Sequence, residues 1–177
     1  MNQAEQDLLV LAAQNGNHRA FDVLVRHFHK PLVSFAVKIS SDVELSRDAV
    51  QESWIKTAKN IRKLKDPRAF KSWIYRLVRW RILDLLRIRN RELLRNEAID
   101  ENLLVAPHSE YSDDKEEATS LIGHLPDTEK EIIHLFYLDG LRITEISIVL
   151  EIPTGTVRSR LNRARNLLRE KYNNLEN

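Results

Sequence analysis

Apolar positions recur every three or four residues over most of the chain, the spacing that turns one face of an α-helix into a core. Leu8, Leu9, Leu11 and Ala12 open the first such segment, which stops at the turn signal Gly16-Asn17. Ala20, Phe21, Leu24, Val25 and Phe28 continue at helical spacing up to Pro31, where the missing N–H predicts a break. Leu32, Phe35, Ala36 and Ile39 form the next stripe, and Val50, Trp54, Ile55 and Ala58 another over residues 48–61. Pro67 breaks the chain again. Phe70, Ile74, Leu77, Val78 and Leu85 then mark a long helix. No run alternates with period two for long enough to require a strand.

Residues 97–117 lack a sustained stripe and carry Pro107, Ser109 and Ser112 among acidic residues, which predicts a flexible linker. Helical spacing returns from residue 119. The expected architecture is all-α: two small helical domains, 1–92 and 119–177, joined by a flexible acidic linker, 93–118.

Composition narrows the function. Of the 177 residues, 42% are hydrophobic and 31% charged, which fits a soluble globular chain rather than a disordered one. With no Cys, disulfides, thiolate metal sites and a Cys nucleophile are excluded. The N-terminus has no basic start before a long apolar run, and no stretch approaches the roughly eighteen apolar residues of a membrane span. A cytoplasmic protein without membrane insertion is expected. Residues 62–95 hold twelve basic and three acidic residues, a balance of +9; residues 96–118 come to −7, and residues 152–172 to +5. Two basic blocks around an acidic spacer point to two polyanion-binding surfaces.

The second basic block has internal order. Thr128 and Glu131 have capping-box spacing at the start of a helix that carries Ile132, Ile133, Leu135 and Phe136 and ends at Asp139-Gly140. A short helix with Ile143, Ile146 and Leu150 inward follows, and small Ser147 permits close approach of another helix. Pro153 forces a turn by holding Ile152 extended. The last helix buries Val157, Leu161, Ala164 and Leu168. Two helices joined by a tight turn, the second amphipathic and Arg-rich, describe a helix-turn-helix. Only the first half of such a helix reaches base edges, so Arg158, Ser159 and Asn162 are the base-reading candidates. Arg160, Arg163 and Arg165 are placed for phosphates, and Thr154 and Thr156 stand at a helix start that favours one.

These residues carry a family resemblance. Leu125-Pro126, Phe136-Tyr137-Leu138-Asp139-Gly140-Leu141, Glu145-Ile146 and Gly155-Thr156-Val157-Arg158-Ser159-Arg160-Leu161-Asn162-Arg163-Ala164-Arg165 resemble the fourth conserved region of extracytoplasmic-function (ECF) sigma factors, which reads the −35 promoter element. Asp48-Ala49-Val50-Gln51-Glu52 with Trp54 resembles the second conserved region, which implies that Asp48, Gln51, Glu52 and Trp54 contact core RNA polymerase. Phe70-Lys71-Ser72-Trp73-Ile74-Tyr75-Arg76-Leu77-Val78-Arg79, with Asp84 and Arg87, resembles the family's −10 helix. The residues implied for −10 DNA are Lys65, Arg68, Tyr75, Arg76, Arg79, Trp80 and Arg87, with the loop 63–68 resembling the segment that captures a flipped base. Trp73 borders the apolar stripe and is assigned to the core. The chain departs from the family pattern at Arg142, Ile148, Glu151 and Trp80.

The resemblance implies core polymerase and promoter DNA as partners, an anti-sigma factor as inhibitor, a monomer when free, and no cofactor or metal. An enzyme is the first rival. The six His (18, 27, 29, 108, 124, 134) are scattered, and phosphate-loop and nucleophile-elbow motifs are missing. A conventional dimeric regulator is the second, but it needs a dimerisation element or ligand pocket that the sequence does not present.

Overall fold

The computed structural model describes residues 1–96, 122, 123 and 125–175, with side chains to residues 95 and 172. The chain divides into two compact units, Met1–Pro107 and His108–Asn177. Among the described residues the regular elements are helical throughout. The acidic segment assigned to the linker lies outside the described residues from 97 to 118.

The first unit contains α1 (Gln3–Gln14), α2 (His18–Ser40), α3 (Val43–Asn60) and α4 (Phe70–Asn96), with short 3-10 turns at Ile61–Lys63 and Pro67–Ala69 before α4. Polar caps start the first three helices. The Asn2 side chain accepts the Glu5 N–H at 2.9 Å while the Glu5 carboxylate accepts that of Asn2, and Asn17 and Asp42 accept the N–H groups of Ala20 and Leu45. Helix α2 packs against α1, α3 and α4. Its Leu24, Phe28, Leu32, Phe35 and Ala36 are buried, as are Ala49 and Val50 of α3 and Phe70, Ile74, Val78 and Ile82 of α4, and the ring centres of Phe28 and Phe70 lie 5.7 Å apart.

Three expectations need correction here. Pro31 lies inside α2 instead of ending it. The buried stripe runs unbroken across it, from Leu24 and Phe28 to Leu32 and Phe35, so packing on both sides outweighs an interior Pro cost of about 3 kcal/mol. In α1 the buried face is Gln6, Val10 and Ala13, while Leu8 is 68% exposed and Leu11 also faces solvent. In α3, Val50 and Trp54 are buried as expected but Ile55 and Ala58 point outward, and the inner face is completed by the small-residue row Ser46, Ala49, Ser53 and Thr57. Ser53 and Thr57 satisfy their hydroxyls on the carbonyls of Ala49 and Ser53 one turn back, which is how polar side chains are buried on this face.

The second unit contains α5 (Asp127–Ile133), continued by a wide π-type turn (His134–Leu138), then α6 (Ile143–Leu150) and α7 (Thr154–Leu175). Ile132, Leu135, Ile146, Val149, Val157, Leu161 and Ala164 form its core. The expected cap at Thr128 with Glu131 does not form. Pro126 precedes the first turn, and the Thr128 hydroxyl binds the neighbouring Glu129 carboxylate. The helix does end at Asp139-Gly140: the Asp139 N–H reaches the His134 carbonyl at 3.1 Å, and Gly140 takes φ +62°.

Candidate nucleic-acid and polymerase interfaces

The turn between α6 and α7 sets the pose of the basic helix. Glu151 closes α6 in the left-handed conformation, φ 57° and ψ 41°. The Ser147 hydroxyl donates to the Ile152 carbonyl at 2.6 Å, and the Ile152 N–H returns to the Ser147 carbonyl at 3.2 Å. Ser147 thus acts as a clamp on the turn. At the other end of α6, Glu145 accepts the Arg142 N–H at 2.7 Å, supplying half of a capping box where the Arg142 side chain, a donor, cannot supply the other half.

On α7, burial of Val157, Leu161 and Ala164 turns the opposite face to solvent. Arg158, Ser159, Asn162 and Arg163 are exposed there, with Thr154, Thr156 and Arg160 half-buried beside them. The Ser159 hydroxyl donates to the Thr156 carbonyl at 3.0 Å, so its outward lone pairs are left to accept. Arg163 leans toward Glu129, a carboxylate 2% exposed, with 3.5 Å between Nη1 and Oε1. Arg165 is a staple rather than a free cation: its Nε donates to the Tyr137 hydroxyl at 2.7 Å and its guanidinium lies 5.7 Å from the ring centres of Phe136 and Tyr137. Ile148, where the resemblance expects a charge, is 43% exposed.

In the first unit, α4 carries the second basic face. Arg76 and Arg79 are half-buried and Arg87 is exposed. Trp80 is 44% exposed, and the Arg76 guanidinium covers its ring at 5.2 Å. Before α4, Lys65 is exposed, and Arg68 grips Asp66 through Nε and Nη2, each at 3.0 Å. That grip holds the Asp66 carboxyl below the usual carboxylate range.

Two candidates belong to the core instead. Tyr75 is 1% exposed, with its ring centre 5.3 Å from that of Phe35, so it has no free face for a base. Trp54 is 7% exposed and sits edge-on to Phe21 at 5.8 Å, so its indole cannot form a polymerase contact surface. Both occur where a polar motif crosses the apolar stripe. Asp48, Gln51 and Glu52 are exposed on α3 as expected. Glu52 is tied across to α4: Arg81 Nη2 lies 2.8 Å from its Oε1 and Arg81 Nη1 lies 2.9 Å from Asp84. Sequence reading missed Arg81, Glu129 and Gln14. Their partners across the fold lie 29 to 50 residues away: Glu52 from Arg81, Arg163 from Glu129, and the carbonyls of Ile61 and Leu64 from Gln14.

Among the described residues there is no group of three or more His, Asp or Glu that could hold a metal, and no helix long and apolar enough to cross a membrane.

Comparison with known proteins covers both units. Residues 24–92 match the family described as Sigma-70 region 2, and residues 115–168 match Sigma-70, region 4. The ECF RNA polymerase sigma-E factor of Salmonella typhimurium is 32% identical, with 96% of this chain and 95% of that protein covered. The ECF RNA polymerase sigma-E factor of Haemophilus influenzae is 30% identical, with 96% of each covered. In solved structures, CnrH in complex with the cytosolic domain of CnrY matches with a TM-score of 0.68 at 24% identity, over 96% of this chain and 97% of that one. The sigma factor RpoE in complex with the anti-sigma factor NepR from Bartonella quintana matches with a TM-score of 0.67 at 24% identity, over 85% and 94%. These two likenesses concern the fold.

Proposed function

Given that the chain belongs to the ECF family of RNA polymerase sigma factors and directs promoter-specific transcription initiation, we propose a division of labour between its two basic faces. The second unit reads the −35 duplex. Arg158 and Asn162 have the donors and acceptors to pair guanine and adenine edges, Ser159 has an accepting oxygen, and Thr154, Thr156, Arg160 and Arg163 line the phosphates. The first unit holds the melted −10 element, with Trp80 as a stacking platform and Arg76, Arg79, Arg87, Lys65 and Arg68 along the backbone.

The observation that carries this reading is the difference in chemistry between the two faces. The face of α7 is aliphatic-backed, polar and without an exposed ring in its first half, which suits a groove. The face of α4 exposes an indole beside arginines, which suits unstacked bases.

Core polymerase docks on the acidic face Asp48, Gln51 and Glu52 of α3, whose charge suits a basic partner helix. An anti-sigma factor that covers one or both basic faces keeps the protein inactive. The chain acts in the cytoplasm, where polymerase and promoter are, as a monomer when free, and serves as a regulatory subunit without a cofactor of its own.

The test is transcription from a promoter library randomised at both elements, with core polymerase and the full chain. Arg158→Ala is expected to lose about 1–3 kcal/mol of discrimination at one −35 position and none at −10. An equal loss on every sequence would reject base reading by Arg158.

A further inference from the structure

The loop between α3 and α4 is held by a residue outside it. Gln14, at the end of α1, donates from Nε2 to the carbonyl oxygens of Ile61 at 2.9 Å and Leu64 at 2.7 Å. These two carbonyls bracket the 3-10 turn Ile61–Lys63, which is also closed by the Leu64 N–H on the Ile61 carbonyl at 3.1 Å. An amide nitrogen has two protons, and both are used.

The α1–α2 turn lies beside the same corner. Gly16, at φ +89°, turns the chain from α1 to α2, and a Cβ added there would lie 3.4 Å from Nη2 of Arg62. The far end of the loop closes on itself: Asp66 accepts the Arg68 N–H at 3.0 Å, and the Ala69 N–H reaches the Asp66 carbonyl at 3.0 Å. The loop is therefore braced by α1 at one end and closed on itself just before α4 at the other, with the exposed side chains of Lys63 and Lys65 between.

We propose that Gln14 is a positioning residue for −10 selection, setting the backbone path of the loop 61–68 through its two carbonyl contacts. This rests on the reading that the loop and α4 hold the melted −10 element. Gln14 grips main-chain carbonyls, so it shapes the loop without consuming the side chains of Lys65 or Arg68. A pocket for an unstacked base must be pre-formed to recover the unstacking cost, and a short loop without such a brace is a low-stability segment.

The experiment uses the full chain with core polymerase and two promoter libraries, one randomised at −10 and one at −35. Gln14→Glu removes both donors and sets a carboxylate against two carbonyls; Gln14→Leu keeps the bulk without charge; Gln14→Lys restores a donor. Gln14→Glu and Gln14→Leu are expected to flatten the −10 preference by about tenfold, the effect of two ordinary hydrogen bonds. The affected positions are those that Lys65→Ala and Arg68→Ala also alter. Gln14→Lys retains most of the preference, and the −35 preference and core affinity stay at the parent level. Should Gln14→Glu fail to fold, Gln14→Leu carries the same comparison. A parental −10 profile in the Gln14 variants, while Lys65→Ala changes it, overturns the proposal and leaves the loop's role intact. A uniform loss on all promoters that follows lost core binding also overturns it. An unchanged profile in Lys65→Ala and Arg68→Ala removes the loop's role itself, and the Gln14 proposal with it.

Discussion

Glu52 on α3 and Arg81 on α4 are joined by an ion pair, with Nη2 2.8 Å from Oε1, that links the acidic face proposed for core polymerase to the helix proposed for −10 DNA. Both side chains are partly exposed, so the pair is worth about 0.2–1 kcal/mol of stability. Glu52→Gln is therefore expected to leave the melting temperature nearly unchanged while weakening core affinity about tenfold. Titration of the full chain against core polymerase checks this, and unchanged affinity removes Glu52 from the interface.

The aromatic residues Trp80 and Tyr75 of α4 are expected to separate by function. Trp80→Ala is expected to cost about 1–3 kcal/mol in holoenzyme binding to single-stranded −10 DNA, with Trp80→Phe retaining much of it. Tyr75→Ala is expected instead to cost about 3–5 kcal/mol of folding stability, since it empties a core position against Phe35. Denaturant unfolding and oligonucleotide binding, measured on both variants, distinguish the two roles.

Glu151 occupies the left-handed region at φ 57°, where a side chain is strained. Glu151→Gly is expected to stabilise the second unit by about 1 kcal/mol, and a β-branched Glu151→Val to destabilise it by a similar amount. Thermal unfolding that shows no gain from glycine refutes strain at this turn.

Asp42 caps α3, and its carboxyl is held below the ordinary range chiefly by the Leu45 N–H and then by Arg89, whose Nη1 lies 2.6 Å away. The folded-state value is depressed, so the stabilisation is complete above the unfolded carboxylate range and is lost as pH falls through the folded value. Asp42→Asn keeps an accepting oxygen for the cap but loses the charge. It is expected to cost roughly 0.5–1 kcal/mol at neutral pH, and the difference from the parent is expected to shrink below about pH 4. A difference independent of pH contradicts the charge's contribution.

The helices were legible because a core imposes a period on apolar residues, and in α2 that period ran through Pro31 and overruled it. The same period misplaced Ile55 and Ala58, because Ser46, Ala49, Ser53 and Thr57 complete the buried face of α3 and hydrophobicity does not mark them, and it misplaced Leu8 and Leu11, because α1 buries Gln6, Val10 and Ala13. The helix-turn-helix face was legible from Val157, Leu161 and Ala164, whose burial dictates where Arg158 and Asn162 point. Tyr75 and Trp54 sit within recognisable motifs yet pack against Phe35 and Phe21, contacts set by helices distant in sequence. Gln14 was invisible for the same reason: its partners are carbonyls 47 and 50 residues away.

The most direct test of the account is run-off transcription by purified bacterial core polymerase with and without the full chain, on promoters selected from a randomised library. The expected result is stable core binding and transcription that depends on the chain and on both a −35 and a −10 sequence. Failure of the folded, partner-free protein to bind core polymerase, or transcription indifferent to promoter sequence, contradicts it.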